Sequence, residues 1–322
     1  MNKHTLFVVA KPTLPCLRLL DRLPEDTALV VGDQAEMFDE RAGECDVLMN
    51  LMSPLDLFRQ VFSKTVNVRW VHSFSAGVEN TLFPELISSP VPMTNGRGVF
   101  SRSLAEFVIA GALFFDKKLA YMRKLHQESR WELMDLEELY GKTMGLVSYG
   151  SIARECARLA KAFGMRVIAT RRRPEMSAGD EYLDQTFPIA GLDQMMAQSD
   201  YVVVTSPNTP ATQGLVDDRA LRAMKPTALL MNIGRGPVVV ERALVEALRE
   251  NRIRGAVLDV FDVEPLPPDH PFYALDNVLL SPHSADHIPG WMDHAIEFFL
   301  ENFERYRSGR PLENIVDKQA GY

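Results

Sequence analysis

The sequence predicts an α/β protein with two doubly wound parallel-sheet domains. Short apolar runs of strand length alternate along the chain with segments long enough for helices. Each run is apolar on both faces, which is typical of a parallel sheet covered by helices on both sides. This alternation of strands and helices forms two series along the chain. One long amphipathic segment that begins near residue 101 separates the two series.

The first series occupies residues 1–100 and has the smaller strands. One of its helices is predicted to begin with Ser53 as N-cap and Pro54 as the first helical residue. The predicted strands are residues 6–10, 28–31, 46–49, 66–74 and 91–93, and the predicted helices are residues 14–23, 53–62 and 78–87.

A long helix over residues 101–119 marks the crossing to the second domain, because its apolar residues recur with the spacing of one buried face. Ser103 and Glu106 resemble a capping box at its start, and Ser101 is an alternative N-cap. We expect the charged residues 121–142 to form a partly exposed helical connection.

The second series begins with a strand at residue 144, a turn, and a helix over residues 152–163. A long amphipathic helix over Trp291–Arg307 and a tail that returns to the first domain complete the chain. We therefore predict one domain from residues 1–100 and 286–322 and another from residues 101–285. The further strands of the second series are predicted at residues 165–170, 201–207, 228–235, 255–264 and 277–283.

Composition excludes several classes of protein. The net charge of −8 argues against a nucleic-acid partner. No apolar run approaches about 18 residues, so we expect no membrane-spanning helix. Three scattered cysteines indicate a reducing compartment, here the cytoplasm, and argue against disulfides or a cysteine-bound zinc ion. We expect no metal site.

The turn after the first strand of the second series lies where a dinucleotide fingerprint G-x-G-x-x-G/A would lie. Small residues there let the backbone approach a pyrophosphate at the helix N-terminus. Gly150 is the middle glycine, Ala153 is an accepted third residue, and Ser148 replaces the first glycine. The motif alone also fits an ordinary strand-to-helix turn. The residues predicted to bind the cofactor here are Ser148, Tyr149, Gly150, Ser151 and Ile152.

Three consecutive arginines follow the next strand, about 20 residues after the turn, where an NAD site carries an acidic residue. Guanidinium groups bind a 2′-phosphate, whereas a carboxylate would repel it. The run therefore favours NADP over NAD, with Arg171 and Arg172 as the expected contacts. The alternative is a solvated basic loop.

Four polar residues fall at or just past the carboxyl ends of later strands, where ligands bind in parallel sheets. Arg235 can pair with a carboxylate and polarise a carbonyl group. His283 suits general acid catalysis, and Glu264 beside it would favour the imidazolium and hold the ring. Taken singly, these three could be a helix-cap contact, a loop histidine and a turn residue. Asp259 is the fourth residue of this group.

Several segments together resemble the D-isomer-specific 2-hydroxyacid dehydrogenase family, in particular its glyoxylate and hydroxypyruvate reductases. The resemblance covers nearly the whole chain. The segments are PNTPATQGLVD (207–217), NIGRG (232–236), GAVLDVFDVEPLP (255–267), SPHSA (281–285) and ENIVDKQAGY (313–322).

The resemblance implies a Rossmann-type domain that binds a nicotinamide dinucleotide and a smaller flavodoxin-like domain that binds substrate in a cleft between them. With the arginine run, we expect the cofactor to be NADP, with NAD possible. It implies reduction of a small 2-oxo acid, such as glyoxylate or hydroxypyruvate, to the D-2-hydroxy acid. Arg235, Glu264 and His283 match the family's catalytic residues. The family also suggests a homodimer, with residues 101–142 at the interface.

Further site residues follow from the resemblance. Backbone N–H groups of Ala76 and Gly77, after a strand of the first domain, would bind the substrate carboxylate. Arg235 and His283 are the other residues expected to contact the substrate. Asp259 would lie near the nicotinamide carboxamide. Pro207 and Ile233 are expected at the cofactor.

Two other functions stay open at this point. Relatives act as corepressors, and Ser148 in place of glycine would suit a dinucleotide-sensing protein with weak catalysis. The chain could also be an NAD-dependent enzyme for a larger or phosphorylated 2-hydroxy acid. Glu264 argues against the formate dehydrogenases of the same superfamily, in which a glutamine pairs with the histidine.

Overall fold

The computed structural model describes residues 3–322, and within them every pairing between named strands is parallel. The predicted α/β class with two parallel sheets is confirmed. One compact unit contains the residues up to Phe100 together with Pro289–Tyr322, and the other is Ser101–Ile288. The chain re-enters the first unit slightly after the predicted position at residue 286.

Strands and short helices make up most of the chain between residues 3 and 322. No helix in this part is both long and apolar enough to span a bilayer. The strands are β1 (His4–Val9), β2 (Thr27–Gly32), β3 (Val47–Asn50), β4 (Trp70–Ser73), β5 (Met93–Asn95), β6 (Thr143–Val147), β7 (Arg166–Thr170), β8 (Gln185–Phe187), β9 (Tyr201–Val204), β10 (Leu229–Asn232), β11 (Gly255–Leu258) and β12 (Val278–Leu280). The α-helices are α1 (Leu55–Lys64), α2 (Pro84–Ser88), α3 (Ser101–Asp116), α4 (Leu119–Gln127), α5 (Ser151–Ala162), α6 (Leu192–Gln198), α7 (Asp218–Ala223), α8 (Glu241–Arg249) and α9 (Trp291–Arg307). The 3₁₀ segments are Pro15–Arg22, Ala35–Glu44, Pro174–Ser177, Ile189–Gly191, Gly236–Val238 and Pro271–Ala274.

The sheet of the first unit has the strand order β2-β1-β3-β4-β5. This is the flavodoxin-like order, in which the strand order reverses between β1 and β3 while all strands stay parallel. Residues 5–9 of β1 and all of β3 and β4 are buried, as expected of a parallel sheet covered on both faces.

The C-terminal segment completes the first unit. In α9, Phe299 stacks on the fully buried Trp70, with ring centroids 5.3 Å apart. The tail then runs beside β5, where the Val316 amide donates to the Met93 carbonyl over 2.8 Å. Lys318 Nζ donates to three backbone carbonyls of the segment around α2, at 2.6–2.8 Å. The first unit therefore needs both ends of the chain.

The sheet of the second unit has the order β12-β11-β10-β9-β6-β7-β8. If β6 is numbered as strand 1 and the sheet is read from the β8 end, the order is 3-2-1-4-5-6-7. This is the order of a Rossmann-type sheet with a seventh strand. The order reverses between β6 and β9, so the turns after these two strands flank the position where such sheets bind ligands.

A buried ionic cluster lies at the amino-terminal edge of the sheet in the second unit. The Asp116 carboxylate, fully buried at the end of α3, accepts from Lys142 Nζ and Arg254 Nη1, each at 2.9 Å. The Tyr201 hydroxyl also donates to it. Burial and this hydrogen bond raise the pKa of Tyr201, which keeps the hydroxyl protonated. The cluster joins α3 to β9 and to the entry of β6.

Two predicted helix caps are wrong because the serine hydroxyls bond elsewhere. Ser53 does not cap α1; its hydroxyl donates to the Val9 carbonyl at 2.8 Å, and Pro54 takes the N-cap position. Ser103 does not form a capping box, since its hydroxyl donates to the Ala285 carbonyl. Ser101 is itself the first residue of α3.

Two predicted helices are shorter than expected. Of residues 78–87 only the part from Pro84 onward is helical, because proline starts α2 at its first position. The charged connection is helical only as far as Gln127, and residues 130–138 form neither helix nor strand. The structure also contains β8, which the sequence did not predict.

We predict that the first unit loses stability in acid through His72. This residue of β4 is fully buried, its Nδ1 lies 2.8 Å from Thr94 Oγ1, and burial lowers its pKa to about 3. Between about pH 6.5, the ordinary value, and about pH 3, the unfolded chain binds a proton that the folded chain does not. The contribution of neutral His72 to the free energy of unfolding is therefore complete above pH 6.5. It falls as the pH decreases, by up to about 1.4 kcal/mol per pH unit.

The measurement is urea unfolding from pH 8 to pH 4, followed by tryptophan fluorescence. His72→Phe should be less stable than the wild type at pH 8, by about 1 kcal/mol for the lost hydrogen bond, and should lose less stability on acidification. His126→Gln, a replacement of an exposed histidine, controls for the change in total charge. Parallel pH profiles for wild type and His72→Phe would contradict the prediction.

Candidate active site

In the turn after β6, a serine adopts a backbone conformation that is usual for glycine. Ser148 has a φ of 72°, in the left-handed region that favours glycine. Its amide donates to Thr170 Oγ1 at 3.2 Å, and its hydroxyl lies 2.7 Å from that of Ser206, in the loop after β9. These side-chain bonds offset the local strain and join the turns after β6, β7 and β9.

Gly150 occupies the N-cap of α5 and leaves the helix start open. It makes no side-chain cap, and a Cβ built there would meet no atom within 4 Å. Packing within the protein therefore does not require a glycine, whereas close approach of a pyrophosphate does. Behind it, Ala153 is fully buried, and Ser151 and Ile152 are partly exposed. The turn fits a dinucleotide phosphate on the helix N-terminus.

The other predicted cofactor residues follow neighbouring strands. The Pro207 carbonyl, after β9, accepts from Thr212 Oγ1 at 2.6 Å. Ile233, after β10, is buried, and its amide donates to the Val204 carbonyl at 3.2 Å. Arg171 and Arg172 follow β7, where Arg171 is partly buried and Arg172 is exposed. All of these positions belong to the edge of the sheet that also carries the β6 turn.

Arg235 follows β10 and is held by its neighbours. Its carbonyl accepts from Asn232 Nδ2 at 3.0 Å, and its Nη1 donates to the Gly234 carbonyl at 2.8 Å. The flanking glycines allow this tight path: a Cβ at Gly234 would lie 2.7 Å from the Ser206 carbonyl oxygen, and one at Gly236 only 2.0 Å from backbone atoms of Phe261. The backbone that carries the guanidinium is therefore fixed from both sides.

His283 and Glu264 form a direct pair. His283 Nδ1 lies 2.7 Å from Glu264 Oε2, and the other carboxylate oxygen accepts the Phe261 amide at 3.0 Å. Both carboxylate oxygens are thus engaged, which fixes the ring of His283 and leaves its Nε2 as the nitrogen for another group. His283 has a φ of 51°, so its backbone is also in the left-handed region.

Asp259 holds the segment that carries His283. It is 1% exposed, and its Oδ1 accepts the amides of Ser284 and Ala285 at 2.9 and 3.1 Å. Its carbonyl accepts the His283 amide at 2.9 Å. Asp259 therefore positions the histidine loop, a role that the sequence did not reveal.

Sequence reasoning missed three residues of this edge. Asn232 and Ser206 brace Arg235 and the β6 turn, and each stands at or just past the end of an apolar strand, which could have signalled them. Asp286 follows the histidine segment and lies 3.7 Å from His287 Nε2. Its burial raises its pKa, and the positive charges of His287 and His283 oppose that shift.

The predicted carboxylate-binding loop lies in the first unit, after β4. The Ala76 carbonyl accepts from Asn95 Nδ2 at 2.6 Å, and the Gly77 carbonyl accepts from the Ser73 hydroxyl at 3.4 Å. With its carbonyls tied in this way, the loop has an ordered backbone. In the same unit the Trp291 ring meets that of Phe74 edge-on.

Comparison with known proteins agrees with this geometry. Residues 109–285 match the family model described as "D-isomer specific 2-hydroxyacid dehydrogenase, NAD binding domain". A glyoxylate reductase of Korarchaeum cryptofilum is 33% identical over 292 residues, which are 87% of this chain and 85% of that protein.

Two solved structures have the same fold over almost their full length. A D-isomer specific 2-hydroxyacid dehydrogenase from Xanthobacter autotrophicus, in complex with NADPH and MES, has a TM-score of 0.84 and 27% identity, and 99% of each chain is covered. An NADPH-dependent glyoxylate/hydroxypyruvate reductase from Sinorhizobium meliloti, in complex with NADP and sulfate, has a TM-score of 0.83 and 25% identity, with 99% of this chain and all of that chain covered. The chain belongs to the D-isomer specific 2-hydroxyacid dehydrogenase family.

Proposed function

We propose that this protein reduces a small 2-oxo acid of the glyoxylate or hydroxypyruvate type to the D-2-hydroxy acid, with NADPH as the preferred cofactor. The observation that carries the proposal is the pair of His283 and Glu264, 2.7 Å apart, on the sheet edge that also carries Arg235 and the β6 turn. Known relatives with similar sequences are glyoxylate reductases.

The residues of the second unit fit a nicotinamide dinucleotide. In this proposal the open N-terminus of α5 binds the pyrophosphate, the arginines after β7 bind the 2′-phosphate, and Pro207, Ile233 and Asp259 lie at the nicotinamide end. When bound, the cofactor supplies a hydride to the substrate carbonyl carbon.

The chain's own residues supply the other requirements of the reduction. Arg235 pairs with the substrate carboxylate and draws electron density from the carbonyl oxygen. His283 donates the proton from Nε2 to the forming alkoxide, and Glu264, on Nδ1, stabilises the protonated ring before transfer. The amides of Ala76 and Gly77 in the first unit bind the substrate carboxylate in the same proposal.

A screen of 2-oxo acids with both cofactors tests the function. Turnover of glyoxylate or hydroxypyruvate with NADPH supports the proposal. Tight dinucleotide binding without turnover of any 2-oxo acid would instead indicate the sensing protein considered above. That alternative is not favoured, because an intact pair of His283 and Glu264 has no evident use without proton transfer.

The proposed roles predict different kinetic defects in two variants. His283→Ala should lower kcat by about 10²–10⁴-fold, because the proton donor is lost. Arg235→Ala should lower kcat and also raise KM, because the guanidinium acts on the bound substrate and on the developing charge. His126→Ala and Arg242→Ala, at exposed positions on α4 and α8, are matched controls. Near-wild-type turnover in His283→Ala would rule out its assignment.

The proposed cofactor preference predicts that the wild type has a kcat/KM about 10²-fold higher with NADPH than with NADH. Two charge-assisted contacts to the phosphate, each contributing about 1.5–3 kcal/mol, are sufficient for such a ratio. Replacing both Arg171 and Arg172 with alanine should bring the ratio near one. Equal use of the two cofactors by the wild type would show that the arginines form only a solvated loop.

We also propose that the protein is a cytoplasmic homodimer. Its three cysteines are all unpaired, consistent with a reducing compartment. In the predicted interface region, residues 101–142, Trp131 and Leu133 are 95% and 89% exposed, and a second copy of the chain would remove these apolar groups from water.

Sedimentation velocity tests the dimer. The mass obtained for the wild type should be twice the chain mass of 36.3 kDa. Replacing both Trp131 and Leu133 with serine should shift the equilibrium toward monomer. Tyr273→Ser, which removes another exposed apolar side chain, is the control. A monomeric wild type at micromolar concentration would contradict this assignment.

A further inference from the structure

A second pair of a histidine and a glutamate lies beside the segment that carries Glu264. His270 Nε2 lies 2.9 Å from Glu241 Oε1, and the two side chains are only 15% and 21% exposed. A carboxylate that is mostly removed from water is tolerated where hydrogen-bond donors surround it. The donors around Glu241 therefore show which parts of the chain this pair holds together.

The tautomer of His270 follows from its other ring nitrogen. The Phe272 amide donates to Nδ1 at 3.3 Å, at the start of the 3₁₀ segment Pro271–Ala274. In a neutral imidazole one nitrogen accepts and the other carries the hydrogen. Nε2 therefore donates to Glu241, and the ring also packs on that of Phe272, with the centroids 4.7 Å apart. His270 is thus fixed by a bond at each nitrogen and by packing.

Glu241 uses its second carboxylate oxygen on the turn that carries Glu264. Its Oε2 accepts the Asp262 amide at 3.3 Å. The preceding amide, that of Phe261, donates to Glu264 Oε1 at 3.0 Å. Two successive amides of one turn are thus bound by two glutamates, one from the turn itself and one from the first residue of α8. Glu241 thereby ties the turn that orients Glu264 to a helix.

The same helix follows directly on the Arg235 segment. The chain passes from Arg235 through a 3₁₀ turn into α8, which begins at Glu241. A Cβ at Gly236 would lie 2.0 Å from backbone atoms of Phe261, so the two segments are already in contact there. The turn with Glu264 therefore meets the Arg235 segment twice, at Gly236 through backbone packing and at Glu241 through a hydrogen bond.

We propose that Glu241 and His270 are positioning residues for the catalytic pair. They hold the turn of residues 261–264 in place, and this turn sets where Glu264 meets His283. The proposal rests on the proposed function. Residues 262–264 are exposed, so side-chain packing restrains the turn little and hydrogen bonds supply the restraint.

Amide hydrogen exchange of the full chain, measured by mass spectrometry, tests the restraint without catalysis. In Glu241→Ala and His270→Phe, the peptide that covers residues 260–266 should exchange about 5-fold faster than in the wild type, because the hydrogen bond to the turn is lost or weakened. His270→Gln keeps a donor for Glu241 and should stay close to the wild type. Exchange in α5 should not change. Glu246→Ala, an exposed replacement on the same helix, is the matched control.

Kinetics with NADPH and a 2-oxo acid then tests whether the restraint acts through Glu264. Glu241→Ala should lower kcat about 10-fold, because the proton donor is less well oriented, and should leave the dissociation constant of NADPH unchanged. In a Glu264→Ala background the same replacement should change kcat by less than about 2-fold, because the group that it positions is gone. A merely structural contribution would lower kcat by the same factor in both backgrounds.

The outcomes separate this inference from the proposed function. Unchanged exchange in Glu241→Ala and His270→Phe overturns the inference, whatever the protein catalyses. Faster exchange with an equal loss of kcat in both backgrounds overturns the positioning of Glu264. A wild type that reduces no 2-oxo acid overturns the proposed function and the catalytic use of the pair, while exchange still decides whether Glu241 and His270 hold the turn. If Glu241→Ala does not fold, the comparison of His270→Phe with His270→Gln carries the test.

Discussion

Parallel pairing of β6 with both β7 and β9 is the constraint on which the rest of the second unit depends. The registers place Val147 opposite Thr170 on one side and opposite Val204 on the other. The next residues along the three strands therefore leave the sheet at the same height and at the same edge. Ser148, Arg171 and the loop through Ser206 are neighbours because the hydrogen bonding of β6, β7 and β9 ends at the same register. Backbone pairing alone is enough to bring them together, without side-chain contacts.

A second constraint acts through a buried anion. Asp259 binds three consecutive residues: its carbonyl accepts the amide of His283, and its carboxylate accepts the amides of Ser284 and Ala285. A buried carboxylate is tolerated only where donors surround it, and here the donors are the backbone of the histidine loop. The left-handed backbone of His283 follows from this attachment. The pairing with Glu264 then sets only the rotation of the ring.

Most of the strands could be predicted from the sequence, because parallel strands buried on both faces are continuous apolar runs. The positions of Arg235, Glu264 and His283 at strand ends followed from the same pattern. What escaped prediction depends on residues distant in sequence. Ser103 looked like a cap, but its partner is the carbonyl of Ala285, and Ser148 takes a glycine conformation because Ser206 holds its hydroxyl.

Local composition misled in other places. β8 is a short strand on the sheet edge, and its sequence, Gln185-Thr186-Phe187, carries no apolar run. The segment around Trp131 has good helix formers and was predicted to be helical, yet residues 130–138 form neither helix nor strand, and Trp131 is exposed. Helix propensity is a weak prior where no packing surface supports a helix, and most side chains of residues 131–138 are exposed.

The discontinuity of the first unit bears on how the chain matures during synthesis. Residues Ser101–Ile288 are contiguous, so the second unit has all of its strands as soon as Ile288 has left the ribosome. The first unit starts earlier but must wait for Phe299, which stacks on Trp70, for Val316, which binds β5, and for Lys318, which binds the segment around α2. Its apolar strands are made first and buried last. During that interval they are the part of the nascent protein most exposed to aggregation and to chaperones.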